Sequence, residues 1–202
     1  MTPFPDRKYK IIYCDPPWSY QNWSDKAHGA ARAWYPCMSV RQISSLPVRD
    51  IAEDNCALFM WITGPKFVEG SHLPIMWAWG FRPVCVAFTW TKTYDSGNPY
   101  CGLGFYTRSA TEFCLLGMKG KMTRLDKNVR QVVSSPVREH SQKPDEVYDR
   151  IEALFGPQTR IELFARGTPR QYWDAWGLES KPEGETPTCD ATSTPELPST
   201  ST

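Results

Sequence analysis

At 202 residues, 41% apolar and with a net charge of +1, the chain is long enough for one domain with a sizeable core, and nothing marks a second. No apolar run reaches the length of a membrane span and no signal-peptide core opens the chain, so an intracellular, cytoplasmic protein without a membrane partner is expected. The seven cysteines, Cys14, Cys37, Cys56, Cys85, Cys101, Cys114 and Cys189, are odd in number and lack Cys-x-x-Cys spacing, so they read as reduced core residues. His28, His72 and His140 are too dispersed for zinc, and no metal is expected. Residues 181–202 carry four acids against Lys181 alone and are rich in Pro, Ser and Thr, which reads as a disordered tail after a domain over 1–180. Without the tail, 22 basic residues stand against 18 acidic ones, and the domain is mildly basic at +4.

The first element is the apolar run Ile11-Ile12-Tyr13-Cys14, a buried strand that stops at Asp15-Pro16-Pro17-Trp18. The prolines fix φ and donate no N–H, so the Asp15 and Pro16 carbonyls are expected to stay outside any following helix and face a ligand. In open α/β sheets the ligand crevice lies beyond the carboxyl ends of strands, where this tetrapeptide would sit. A carboxylate and a rigid carbonyl accept both hydrogens of an –NH2 group, and an indole offers a stacking face for a planar base. The plainer reading makes Asp15 a turn former and Trp18 a core residue, and the tetrapeptide alone does not choose between them.

Ser19 to Pro36 has no periodicity and carries Arg32, Trp34 and Tyr35 among other basic and aromatic residues, so it reads as a binding loop suited to nucleic acid. Ser39 caps a short helix to about Leu46, with Gln42 completing a capping box. Cys56 to Ile62 and Val84 to Thr91 read as buried strands, and Pro65 to Trp79 between them as an interrupted helix ending at Gly80, which implies a right-handed parallel crossover. Trp61, Trp77, Trp79 and Trp90 read as core packing. A second candidate substrate loop, Thr93 to Ser109, contains Tyr106 and ends at Arg108 and Glu112, before a third strand over Phe113 to Met118. Lys119, Lys121, Arg124, Lys127 and Arg130 then put five cations in twelve residues, a density that suits backbone phosphates and otherwise reads as a solvated hairpin. Lys143 to Phe155 is a well-signalled helix with Pro144 in its first turn, leaving Lys143 where an anion is favoured. Arg160 to Ala165 is a further strand, with Arg166 at its carboxyl end on the Asp15 side.

Asp15-Pro16-Pro17-Trp18 resembles the catalytic signature of amino-group methyltransferases. Trp77 to Phe81, Gly102 to Arg108, Glu112 to Gly120, His140 to Glu146 and Ile161 to Arg166 follow in the order of one family. Over residues 9–179 the chain resembles an N6-adenine methyltransferase of the mRNA-adenosine-methyltransferase-like family, in its short prokaryotic or phage form. The resemblance implies a Rossmann-like, mostly parallel α/β domain in which the catalytic strand precedes the cofactor strand. The implied reaction is S-adenosyl-L-methionine-dependent methylation of adenine N6 in nucleic acid, with DNA favoured over RNA. Asp15, Pro16, Pro17 and Trp18 are then catalytic. Asp15 meets the methionine amino group, Lys143 its carboxylate, and Arg166, Gly167, Thr168, Pro169, Leu178 and Glu179 fall on the remaining cofactor segments. Leu178 stands where an Asn is common, and Thr168-Pro169 replaces a polar pair. Trp18, Arg32, Tyr35, Tyr106, Arg108, Glu112, Lys121 and Arg124 are assigned to substrate.

No Gly-x-Gly-x-x-Gly follows the first strand, so hydride transfer is not supported. A non-catalytic nucleic-acid-binding relative that supports a partner subunit, and a methyltransferase for cytosine N4 or a protein amide, stand as alternatives; the intact tetrapeptide favours an enzyme. No separate recognition domain is visible, and monomer and homodimer are both open.

Overall fold

β1 spans Tyr9–Cys14, and alternation along it feeds two separate cores. Ile12 and Cys14 join one apolar cluster while Ile11 and Tyr13 join the other. β2, Ala52–Thr63, does the same, sending Leu58, Met60 and Ile62 to the first face and Ala57, Phe59 and Trp61 to the second. A strand buried on both faces reads as a continuous apolar run, which is why both are plain in the sequence. The computed structural model describes residues 3–19, 37–104, 106–138 and 142–177, and the backbone of 179 and 180. The residue 181–202 segment lies outside these, as do most of the Ser19 to Pro36 loop, Phe105 and His140.

The first face is covered by four short helices, α1 (Val40–Ser44), α2 (Val48–Ile51), α3 (Gly64–Val68) and α4 (His72–Ala78). The α1 capping box is present: the Gln42 amide donates to the Ser39 hydroxyl and the Ser39 amide to the Gln42 side chain, at 3.3 and 2.8 Å. The helix expected over Pro65 to Trp79 is broken in two at Gly70, which takes φ +72°, and Gly80 ends it at φ +84°. Trp79 is buried and its indole donates to the Ile43 carbonyl, whereas Trp77 is 62% exposed and is not part of the core.

β3 (Arg82–Thr93), β4 (Thr111–Lys119), β5 (Val132–Pro136), α5 (Glu146–Phe155) and β6 (Arg160–Leu163) follow. After them come β7 (Arg166–Gly167), β8 (Asp174–Trp176) and β9 (Glu179–Ser180). Seven strands form one sheet in the order β5-β3-β4-β2-β1-β6-β8, and β7 and β9 pair as a separate parallel ribbon. Within the large sheet β4 alone is reversed: it runs antiparallel to both β2 and β3, and all other pairings are parallel. The crossover from β2 to β3 therefore joins parallel strands that are not neighbours, because β4 inserts between them. α5 covers the second face with Val147, Ile151 and Phe155.

The reversal of β4 decides where two sequence segments go. Thr63 pairs with Glu112 and Cys56 with Lys119, so Glu112 lies at the carboxyl end of β2 and Lys119 at its amino end. Asp15 leaves β1 at the carboxyl end, one residue past the Cys14–Met60 pair. The basic segment thus begins at the opposite edge of the sheet, on the order of 25 Å away for a strand of this length.

Candidate active site

Asp15 is held at the carboxyl end of β1 by Lys143. The Lys143 Nζ lies 2.7 Å from Asp15 Oδ2 and 3.2 Å from Glu112 Oε2. Glu112 Oε1 in turn meets Lys92 Nζ at 2.5 Å. Four alternating charges from the end of β1, the approach to α5, β4 and β3 form one chain, all with side chains less than a quarter exposed. Burial alone would lower the Lys143 pKa, but the Asp15 and Glu112 carboxylates outweigh it and raise it above the ordinary lysine value. Burial likewise works to raise Glu112, and Lys143 and Lys92 overcome it, leaving the carboxyl below its usual range.

Lys143 does not sit within the helix that its sequence neighbours announce. α5 starts at Glu146, and the turn before it is closed by Val147 N–H donating to the Pro144 carbonyl at 3.1 Å. Arg138, just past β5, donates to the Lys143 carbonyl at 2.7 Å and pairs with Asp145 at 2.6 Å, which fixes this approach segment. Beneath the ammonium lies the ring of Trp61, 5.7 Å away, whose indole donates to the Tyr13 hydroxyl at 2.6 Å.

The turn after Asp15 corrects one expectation. The Pro16 carbonyl accepts the Trp18 amide at 2.8 Å, which closes the turn and leaves the oxygen its second lone pair. Trp18 is 4% exposed, its indole donates to the Trp61 carbonyl at 3.2 Å, and it belongs to the apolar cluster on the α1 side. The ring is packing that braces the turn, the plainer of the two sequence readings, and not an open stacking platform. Pro17 is tied in as well, its carbonyl accepting the Met38 amide at 2.8 Å.

The two segments expected to meet the cofactor come together although they are far apart in sequence. After β6, Phe164 takes φ +63°, a left-handed conformation rare for a bulky side chain, and packs against Trp176. The chain then turns so that Arg166 and Gly167 pair with Glu179 and Ser180. Gly177 makes that approach possible, since a Cβ there would stand 2.5 Å from the Ala165 carbonyl oxygen. Arg166, Gly167 and Thr168 are exposed and Pro169 is half-buried. Leu178, Arg32 and Tyr35 lie outside the described residues, as does the Glu179 side chain.

Tyr106 and Arg108 are exposed on the β3–β4 connection, at the Asp15 end. Lys121 and Arg124 are exposed at the far end, where the Lys121 amide donates to the Asn55 side chain at 2.7 Å. They do not share a crevice with Asp15. Charge density alone points the basic segment toward the substrate, but β4 runs against its neighbours and carries the segment to the far end of the sheet. A cavity of about 680 Å³ opens at that edge, lined by Lys8, Lys10 and Lys121 together with Glu53 and Asp54.

Two groups at the site have no role assigned by any motif in the sequence. Lys92 is one. Glu162 on β6 is the other: it accepts from the Tyr148 hydroxyl at 2.8 Å, and burial pushes it up to about 7, against that hydrogen bond and with the Asp15 charge adding to the rise. Each is a charged residue inside an apolar or β-branched strand, a pattern that signals a partnered buried charge. Cys14 and Cys114, beside Asp15, are free thiols raised by burial. Among the described residues no group of three metal-ligating side chains gathers, and no helix is long and apolar enough to cross a membrane.

A carboxylate at the end of β1, with the later strand β6 brought alongside it, is the arrangement of a Rossmann-like methyltransferase in permuted order. The MT-A70 family model matches residues 9–179, and the chain belongs to that family, as an adenine N6-methyltransferase. It is 38% identical over 193 residues to the type II methyltransferase M.MunI of Mycoplasma sp, covering 87% of this chain and 79% of that protein. It is 30% identical over 166 residues to the N(6)-adenosine-methyltransferase MT-A70-like protein of Drosophila melanogaster, covering 79% of this chain and 24% of that protein. The human N(6)-adenosine-methyltransferase catalytic subunit METTL3 is 27% identical over 166 residues, covering 79% of this chain and 26% of METTL3.

Proposed function

We propose that the chain transfers a methyl group from S-adenosyl-L-methionine to adenine N6 in DNA, at the crevice beyond β1, in the cytoplasm. The observation that carries this reading is the side-by-side pair of Asp15 and Lys143 at 2.7 Å, where a half-buried anion and a buried cation meet beyond the carboxyl end of β1. The methionine part of the cofactor carries an ammonium and a carboxylate, and such a pair is complementary to both. Lys143 holds the carboxylate and Asp15 meets the ammonium, with Arg166, Gly167, Thr168, Pro169, Leu178 and Glu179 along the rest. When bound, the cofactor supplies an electrophilic methyl group on a sulfonium.

The protein's task is then to make a poor nucleophile attack. The exocyclic amine of adenine shares its lone pair with the ring, and Asp15 accepts an N–H from it, favouring the pyramidal geometry that frees the pair. The N–C bond would form as the methyl C–S bond breaks to leave a neutral thioether, and N6 would shed one proton to water; orientation and fixed charge supply the rate, with no side chain bonded to the substrate. Pro16, Pro17 and Trp18 keep the carboxylate aimed by locking its turn. Tyr106 and Arg108 receive an extruded nucleotide around this end, and Arg32 and Tyr35 are assigned the same role.

DNA is favoured because M.MunI, matched over 79% of its length, is a type II methyltransferase, whereas the adenosine methyltransferases are matched over about a quarter of theirs. The test is a competition of adenine-containing DNA and RNA for labelled methyl groups, followed by nucleoside mass spectrometry. N6-methyladenine in the DNA fraction is expected; methyl transfer confined to RNA overturns the choice of polymer, and N4-methylcytosine overturns the choice of base.

A further inference from the structure

We propose that Lys92 is a positioning residue for methyl transfer: by holding one oxygen of Glu112, it leaves the other to Lys143 and so keeps Lys143 on Asp15. The inference rests on the reading of Asp15 as the amine acceptor.

The geometry divides the charges one by one. Glu112 gives Oε1 to Lys92 at 2.5 Å and Oε2 to Lys143 at 3.2 Å, while Lys143 stands closer to Asp15, at 2.7 Å. Lys92 occupies Oε1 of Glu112, and its like charge repels the Lys143 ammonium across the shared carboxylate. With Lys92 present, Lys143 therefore leans toward Asp15. Without it, three charges remain with a net charge of −1 in a buried site, and Glu112 is free to turn both oxygens onto Lys143. Asp15 then loses the hold that aims it, and the cofactor carboxylate competes with Glu112 for the same ammonium.

Lys92 is anchored well enough to do this. Its backbone N–H donates to the Ala110 carbonyl at 2.8 Å and its carbonyl accepts the Tyr100 amide at 3.0 Å. The ammonium rides 4.8 Å from the centre of the Trp90 ring, whose indole donates to the Ser135 carbonyl at 3.0 Å. The Lys92 and Glu112 side chains are 19% and 14% exposed, so solvent screens the pair only in part. A plain cross-strand pair would stabilise β3 against β4 and do no more.

Substitution in the full chain separates the two. For Lys92→Met, single-turnover transfer with enzyme in excess should fall about 10- to 100-fold, with an unchanged KM for DNA. Calorimetry should find S-adenosylmethionine bound about tenfold more weakly. Lys92→Arg should recover most of both losses, because it restores the charge. Since Lys92 acts through Glu112, Lys92→Met should cost nothing further in transfer or affinity in a Glu112→Gln background, whereas a merely structural pair would couple in unfolding stability and leave transfer and affinity unmoved. Wild-type transfer and affinity in Lys92→Met, or an equal further loss in the Glu112→Gln background, overturns the proposal. Asp15→Ala is the companion measurement: wild-type turnover there would remove the reading on which the proposal rests, whereas an inactive Asp15→Ala beside a fully active Lys92→Met removes the proposal alone.

Discussion

The two edges of the sheet carry charge in opposite ways. At the carboxyl edge Asp15, Lys143, Glu112 and Lys92 are few, mostly buried and each tied to the next. At the amino edge Lys119, Lys121, Arg124 and Lys127 crowd one segment, yet Lys121, Arg124 and Lys127 are exposed, and Glu53 and Asp54 stand in the cavity beside Lys8, Lys10 and Lys121. Charge density along a sequence marks solvated surface, and charge inside an apolar strand marks a site. A buried charge needs a partner to exist, so its partners are arranged; an exposed one needs only water.

The largest effect that this contrast predicts is at Asp15. Asp15→Ala should lower methyl transfer on the order of 10³-fold, as for loss of a preorganised electrostatic group, and Asp15→Asn should keep only weak activity because its amide presents a donor where an acceptor is needed. Transfer rates measured at saturating cofactor check this.

Glu162 tests the same edge through stability. Its folded pKa of about 7 lies above the ordinary value of 4.5, so between those pH values the folded state binds more protons than the unfolded one. Stability is then lost as pH rises through that window, by an amount on the order of 3 kcal/mol at most. Glu162→Gln should abolish that decline, read from denaturant midpoints at pH 5 and pH 8. An unaltered decline in the variant would assign it to another group.

For Lys143→Ala we expect S-adenosylmethionine affinity to fall roughly 10- to 100-fold, read by calorimetry. Affinity equal to wild type would reject the carboxylate contact. The smallest effect belongs to the other edge. Replacing Lys121, Arg124 and Lys127 with Ala should change turnover less than about twofold and leave the salt dependence of DNA binding nearly unaltered, since each lost phosphate contact on duplex DNA would change the log–log slope by about 0.9. A flattened slope would bring the basic segment back to the nucleic acid.

Much of this was legible in the chain. Apolar runs gave β1, β2 and the third strand, the Ser39–Gln42 box gave α1, and helical spacing from Val147 to Phe155 gave α5. Strand direction was not legible, because an apolar run reads the same either way, and the reversal of β4 sends Lys121 and Arg124 to the edge opposite Asp15. Nor could sequence say that the Trp18 ring turns inward, since an indole suits a core and a base equally. Lys92 and Glu162 were readable in principle, as ionisable residues amid apolar and β-branched neighbours, but only the fold names their partners.

The most direct test of Asp15 as the centre of the chemistry is nucleoside mass spectrometry of DNA from cells expressing the wild-type chain or Asp15→Ala at matched levels. N6-methyladenine should accumulate with the wild type and fall to the level of non-expressing cells with Asp15→Ala. Equal accumulation with the two proteins would contradict the account.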